Sequence, residues 1–214
     1  MAKKKTKKGK KEGKISRKKQ IENQNKILKN FFIWIGVIII TILLIFLFIN
    51  QTKNFEYGGV EFRIVKFCDT RPCLIAYNTK LLVTYQGTVM PYNFYLRNDP
   101  RELAKNVPFD GEVVFKNDMF INITFNRYCE GRETIAIANF LSLYEVSGIN
   151  VVADENTGCD IEGNSMFVLI QESNRTSIEQ FGSACYNINI KNCEILEGTE
   201  RFLVDTFVEL NKLI

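Results

Sequence analysis

The sequence predicts an α+β extracytoplasmic domain, mainly antiparallel sheet with two packed helices and one β-α-β unit, preceded by a single transmembrane helix. Three observations predict it: an uncharged apolar run near the N-terminus, alternating hydrophobicity that recurs through the remainder, and two later stretches with helical spacing.

The apolar run comes first. Residues 31–49 (FFIWIGVIIITILLIFLFI) contain no charged side chain, and at about 1.5 Å per residue they span roughly the 30 Å hydrocarbon core of a bilayer. Charge is segregated around it. Residues 1–30 hold 13 Lys and Arg against 2 acids, a net +11, whereas residues 51–214 hold 15 against 22, a net −7. Lys and Arg beside a span stay on the cytoplasmic side, so Lys26 and Lys29 place the N-terminus inside and the C-terminal portion outside. A cleavable signal peptide would have a shorter apolar region, about 7–15 residues, ending in small residues. This run ends in Ile49-Asn50-Gln51-Thr52-Lys53, which reads as a retained anchor of a single-pass cell-membrane protein.

The flanks divide the chain into a disordered basic tail (1–30), the span (31–49), a linker (50–56) and an outer domain (57–214). The tail cannot bury enough apolar surface to offset the cost of ordering. Its lysines adhere to anionic inner-leaflet lipids, each contributing about 1 kcal/mol close to the surface. It lacks interleaved aromatics, so no specific nucleic-acid binding is expected.

In the outer domain Val60, Phe62 and Ile64 alternate with Glu61 and Arg63, as a half-buried strand requires. Similar runs recur at residues 81–85, 92–96, 119–125, 166–171 and 185–190. Residues 134–146 place Ile137, Phe140, Leu141 and Tyr144 on one helical face, and Gly148 stands where a C-terminal cap belongs. A second helix is predicted over 199–213, with Thr199 as N-cap and Leu203, Phe207, Leu210 and Ile214 as its apolar stripe. Strand 121–125, helix 134–146 and strand 149–152 form the expected β-α-β unit, and the other strands follow one another as hairpins or a meander.

All six cysteines, Cys68, Cys73, Cys129, Cys159, Cys185 and Cys193, lie after the span, the signature of a disulfide framework in an oxidising compartment. Pro72 favours a turn that brings Cys68 and Cys73 together. Three pairings remain open among the other four, and Cys185 can meet Cys193 only if the chain turns at Lys191-Asn192. Asn-x-Ser/Thr sequons stand at Asn50, Asn122 and Asn174. Asn50 lies too near the bilayer, whereas Asn122, on the polar side of a strand whose Ile121, Ile123 and Phe125 face inward, and Asn174, in a turn, are expected to be accessible for glycosylation.

The chain has no histidine, which removes Ser-His-Asp and Cys-His catalysis and the usual zinc ligand sets. There is no P-loop, Gly-x-Ser-x-Gly or Gly-x-Gly-x-x-Gly motif. No catalytic residue, cofactor site or metal site is assigned. Residues 154–162 gather four carboxylates, but their glycine spacing does not match a calcium-binding EF-hand loop, and they read as a solvated acidic loop. Carboxylate chemistry remains, with Asp99, Asp110, Asp118 and Glu130 as its candidates. One segment, YNFYLRNDPR (92–101), sets an aromatic-rich strand before a doubly Arg-bearing turn. Its Tyr92, Tyr95, Arg97 and Arg101 are the candidate recognition surface for an acidic or carbohydrate partner, against the plainer reading of a strand and an Asn-Asp-Pro turn with solvated charges.

With YNFYLRNDPR (92–101), the Cys-then-helix segment 129–147, CYNINIKNCEIL (185–196) and TERF (199–202), the chain resembles a group of small, uncharacterised single-span membrane-anchored proteins of archaea. The resemblance covers most of residues 55–205, implies the same architecture and carries no activity; CDTRPC (68–73) is additional to the pattern. The expected function is a membrane-anchored surface protein with a non-catalytic interaction domain that contacts envelope proteins or glycans. The alternatives are an envelope-acting hydrolase with carboxyls about 5–10 Å apart and a pilin-like subunit, which would carry an acid early in its apolar segment.

Overall fold

The computed structural model describes residues 28–47, 53–69, 72–85, 87–154 and 157–213. The lysine-rich tail to residue 27, the end of the apolar run with the Asn50 sequon, and Glu155 and Asn156 of the acidic loop lie outside the described residues. The chain forms two units, Met1–Thr52 and Lys53–Ile214.

The first unit contains helix α1 (Leu28–Leu47), which is long and apolar enough to cross a membrane. Its Thr41 hydroxyl donates to the Val37 carbonyl at 2.8 Å, so this polar group is satisfied inside the helix.

The second unit begins with a four-stranded antiparallel sheet in chain order: β1 (Asn54–Tyr57), β2 (Val60–Phe67), β3 (Leu74–Tyr85) and β4 (Thr88–Leu96). Val60 and Phe62 are buried while Glu61 and Arg63 are exposed, as their alternation requires. Strand β1 occupies part of the segment that reads as a linker. Two alternating aromatics are too short a signal to mark a strand, yet Phe55 stacks on Phe62 at 5.6 Å and meets Tyr77 edge-on at 6.1 Å.

The second sheet contains β5 (Phe109–Asp110), β6 (Asp118–Ile123), β7 (Asn150–Ala153), β8 (Met166–Glu172), β9 (Ser177–Gly182) and β10 (Cys185–Ile190), in the order β5-β9-β10-β8-β6-β7. The mainly antiparallel expectation holds for the first sheet. Here only β9 and β10 are antiparallel. The reason is that β10 inserts between β8 and β9 instead of extending a meander, which makes it parallel to β8. Buried at five of its six positions, β10 carries the near-continuous apolar character of an inner parallel strand.

Three helices complete the unit: α2 (Pro100–Asn106), α3 (Arg132–Val146) and α4 (Ile195–Leu213). The β6-α3-β7 unit is the expected one, with parallel register from Asp118 opposite Asn150. Helix α3 ends as its glycine indicates: Gly148 has φ +80, the Ile149 N–H reaches the Tyr144 carbonyl and the Gly148 N–H reaches that of Glu145, both at 3.0 Å. Helix α2 replaces the expected turn. Asp99 caps it by accepting from the Arg101 N–H at 2.9 Å, and Pro100 occupies its first turn, where a missing N–H costs nothing.

Helix α4 starts four residues before the predicted Thr199 cap. The Cys129–Cys193 disulfide anchors its approach, the Gly198 N–H already bonds the Glu194 carbonyl, and Thr199 is buried in the second turn with its hydroxyl donating to the Ile195 carbonyl at 2.7 Å. Sequence alone does not mark the early start, because Gly198 weakens the helical signal. A Cβ there would press on Ile190 Cδ1 and lie 3.3 Å from Ile188 Cγ2, so glycine lets α4 cross β10 this closely without displacing those buried side chains. From there α4 runs between the sheets. Phe202 packs on Tyr186 of β10 at 5.0 Å and on Phe140 of α3 at 5.7 Å, while Phe207 meets Phe94 of β4 at 5.2 Å.

This contact yields a prediction. Gly198→Ala gains about 1 kcal/mol of helix propensity but overpacks the crossing, a change that costs about 1–3 kcal/mol. Thermal unfolding of the full chain should therefore move to lower temperature, and an unchanged or raised midpoint would contradict the crossing.

Candidate functional site

The segment 92–101 was singled out by sequence, and its four named residues occupy different surroundings. Tyr92 shares a face of β4 with buried Phe94, their rings 4.8 Å apart, while Tyr95 points to the opposite face and meets Phe67 at 5.8 Å. Arg97 is half-buried, and its N–H donates to Glu200 Oε1 at 2.7 Å. Arg101 is exposed, yet its guanidinium is held by neighbours. It bonds both oxygens of Asp99, at 2.9 and 2.6 Å, and its guanidinium lies 3.9 Å from the Phe55 ring centroid. Burial works against ionisation of Asp99, but the bonds from Arg101 outweigh it and hold the carboxyl below its ordinary value. A single patch of two tyrosines and two arginines is therefore not formed.

What the segment does instead is dock on α4. Glu200 is fully buried; Oε1 accepts from the Arg97 N–H, and Oε2 accepts from the Asn98 N–H and side-chain amide, both at 2.9 Å. The next residue, Arg201, donates through Nε to the Val107 carbonyl at 3.1 Å and pairs with Asp205. Val107 is the C-cap of α2 and Asn98 directly precedes its N-cap. Two adjacent, oppositely charged residues of α4 thus hold α2 at both ends. The TERF residues raised by sequence belong to this device, but their partners are about 100 positions away and sequence spacing does not disclose them.

The outer face of the first sheet carries an exposed patch. Phe67 (42% exposed) pairs across the ladder with Leu74 (43%), and Tyr95 (43%) leans onto Phe67, with small Ala76 buried among them. Clusters of this kind mark interaction surfaces when they are contiguous. A shallow apolar groove of about 440 Å³ lies elsewhere, lined by Ile123, Phe125, Ile137, Ala138, Leu141 and Ile195 among others. Ile123, expected to face inward, is 36% exposed at this groove.

The candidate carboxylates occupy separate places. Asp99 caps α2, Asp118 accepts from the Asn150 amide at 3.0 Å, Asp110 is exposed on β5, and Glu130 stands at φ +57 in the turn before α3. In the acidic loop, bonds from the Asn164 and Glu162 N–H groups fix Asp160 and lower its pKa. Among the described residues no three Asp, Glu or Cys side chains are grouped to hold a metal ion.

The six cysteines form Cys68–Cys73, Cys129–Cys193 and Cys159–Cys185, which resolves the open pairings. Asn174 is exposed in the turn between β8 and β9. Its sequon partner Thr176 is buried, donates to Glu194 Oε2 at 2.5 Å and accepts from the Lys191 N–H at 3.0 Å. Asn122, expected to be accessible, is half-buried on the inner strand β6, and its side-chain oxygen is buried.

The chain matches no protein-family model, no curated protein and no solved structure. Its functional reading rests on its own geometry.

Glu200 supplies a pH-dependent signature. Burial pushes its pKa from the ordinary 4.5 up to about 7, against the opposing pull of its three donors. A carboxyl raised in the folded state keeps its proton longer than in the unfolded chain. Its contribution is therefore greatest below pH 4.5, is lost as pH rises to about 7, and is constant above. We expect Glu200→Gln to lack this decline, on the order of 3 kcal/mol, in urea unfolding from pH 4.5 to 7.5. Parallel profiles for the two chains would exclude the assignment.

Proposed function

We propose that the chain is a single-pass membrane-anchored surface protein whose C-terminal domain, outside the cytoplasm, acts as a non-catalytic interaction module. The observation that carries the reading is the pairing of an apolar helix, α1, long enough to cross a membrane, with a following domain whose six cysteines are all bonded. Thiols of cytoplasmic proteins are kept reduced, and complete pairing belongs to an oxidising compartment. The basic residues before α1 favour a cytoplasmic N-terminus held against anionic inner-leaflet lipids.

The interaction role is supported by the patch around Phe67, Leu74 and Tyr95, which offers rigid aromatic area with little ordering cost. Its partners are envelope proteins or glycans within reach of a short tether. Asn174 is the better placed of the two sequons for a glycan, being exposed in a turn. The resemblance to small membrane-anchored archaeal proteins agrees with this architecture.

In intact cells bearing the full chain, external protease should remove the C-terminal domain and spare the N-terminal tail. The cysteines should resist alkylation until reductant is added. A protected domain, or thiols that alkylate without reductant, would remove the basis of the reading. Phe67→Asp combined with Tyr95→Asp should abolish cross-links between the domain and its envelope partners while leaving the three disulfides intact.

A further inference from the structure

The outward face of the first sheet carries two polar ranks. At one level the ladders set Asn54 opposite Arg63, Arg63 opposite Asn78 and Asn78 opposite Tyr95, so a single row crosses all four strands. Two residues along each strand, Glu56 opposite Glu61 and Lys80 opposite Asn93 make a second rank on the same face. All of these but Asn78 are exposed, while Phe62 and Phe94 on the other face are buried in the core.

Strands β2 and β3 pair only as far as Arg63 and Asn78. At that level a cleft of about 720 Å³ opens, lined by Glu56, Glu61, Arg63, Asn78, Thr79 and Lys80 among others. Its volume is that of a small-molecule site. In its wall Asn78 is 7% exposed and donates from its amide to the Phe94 carbonyl at 3.1 Å, so this side chain is held in place before any ligand arrives.

The fold gains little from the charges around the cleft. Glu56 and Glu61 stand directly opposite each other, where like charges destabilise a ladder. Among the described residues none of Glu56, Glu61, Arg63 and Lys80 enters an ion pair.

Charge complementarity selects the ligand. Two acids and two cations cancel, so a polyanion or a basic peptide meets repulsion wherever it meets attraction. A neutral polyhydroxyl ligand meets no such conflict, because each hydroxyl both donates and accepts. Carboxylate, guanidinium and side-chain amide are planar groups able to bond two adjacent hydroxyls at once. Tyr95, 43% exposed at the end of the first rank, adds a ring against which the C–H groups of a sugar can pack.

We propose that this cleft and its two ranks bind neutral saccharides built of hexose or N-acetylhexosamine units. The proposal rests on the reading of the C-terminal domain as an interaction module and assigns a glycan to it.

The full chain in nanodiscs is titrated calorimetrically with linear hexasaccharides of glucose, mannose, galactose and N-acetylglucosamine, and separately with a heparin hexasaccharide and with hexalysine. At least one neutral sugar should bind, with an affinity that changes less than about twofold between about 50 and about 300 mM salt. Glu61→Ala should weaken binding about tenfold or more, whereas Glu61→Gln, which keeps a planar group without the charge, should weaken it less than about threefold. An unchanged thermal unfolding midpoint shows that each variant is folded. Failure of every neutral sugar to bind, or binding of heparin or hexalysine alone, overturns the site. Full binding by Glu61→Ala, or equal loss in both variants, overturns it as well. The module itself is judged separately: cross-links to envelope partners that persist when no sugar binds leave it standing, and a domain shielded from external protease overturns it even where a sugar binds.

Discussion

Helix α4 must be apolar enough to be buried from both sides and polar enough to hold a neighbouring helix, and the run Thr199-Glu200-Arg201-Phe202 meets both demands. Thr199 returns its hydroxyl to its own backbone, so it adds no unmet donor. Phe202 sits where Phe109, Phe140, Tyr144 and Tyr186 converge. Between them Glu200 and Arg201 present charges that would be costly to bury alone, since an unpartnered buried charge destabilises by several kcal/mol. The backbone at either end of α2 offsets part of that cost, and Asp205 pairs with Arg201 from the next turn. The burial of α4 therefore depends on α2 being formed, and the first sheet, which leads into α2, is committed by the same contacts.

The disulfides divide the remaining work unequally. Cys129–Cys193 joins positions 64 residues apart, at the approaches to α3 and α4, whereas Cys68–Cys73 closes a separation of 5. Loop-closure entropy assigns about 4 kcal/mol to the first and about 2 kcal/mol to the second. Helix α3 has reason to need this support. Gly131 at its N-cap supplies no side-chain oxygen, and the Cys129 N–H bonded to Glu133 at 3.2 Å is what organises the first turn. The Tyr186 hydroxyl plays a similar part for an irregular stretch, donating to the Glu112 carbonyl and accepting from the Val114 N–H.

Much of this fold is legible where periodicity is long. The strands around Val60, Met119, Met166 and Cys185, the β-α-β unit and the Gly148 cap all follow from local chemistry. Short elements are not: Phe55 and Tyr57 of β1 become a strand only through pairing with β2. Helix α2 was available to sequence reasoning, since Asp99, Pro100, Glu102 and Lys105 form a capped, dipole-matched helix, but the Asn-Asp-Pro turn signal overlaps it. The site was legible as segments and not as contacts. The stretch 92–101 meets 199–202 through Glu200, and 129–147 meets 185–196 through Cys129–Cys193. Those meetings are set by tertiary packing, which spacing along the chain does not encode.

The sequon at Asn174 has a double character. Thr176 is buried, and its hydroxyl bridges Glu194 and the Lys191 backbone at the approach to α4. Whatever attachment the asparagine accepts, the threonine already serves the fold. Deleting the sequon through Asn174 alters an exposed amide, while deleting it through Thr176 strips a buried hydroxyl from both of its partners. The second manipulation confounds loss of sugar with loss of structure, so the asparagine is the cleaner handle for dissecting this surface.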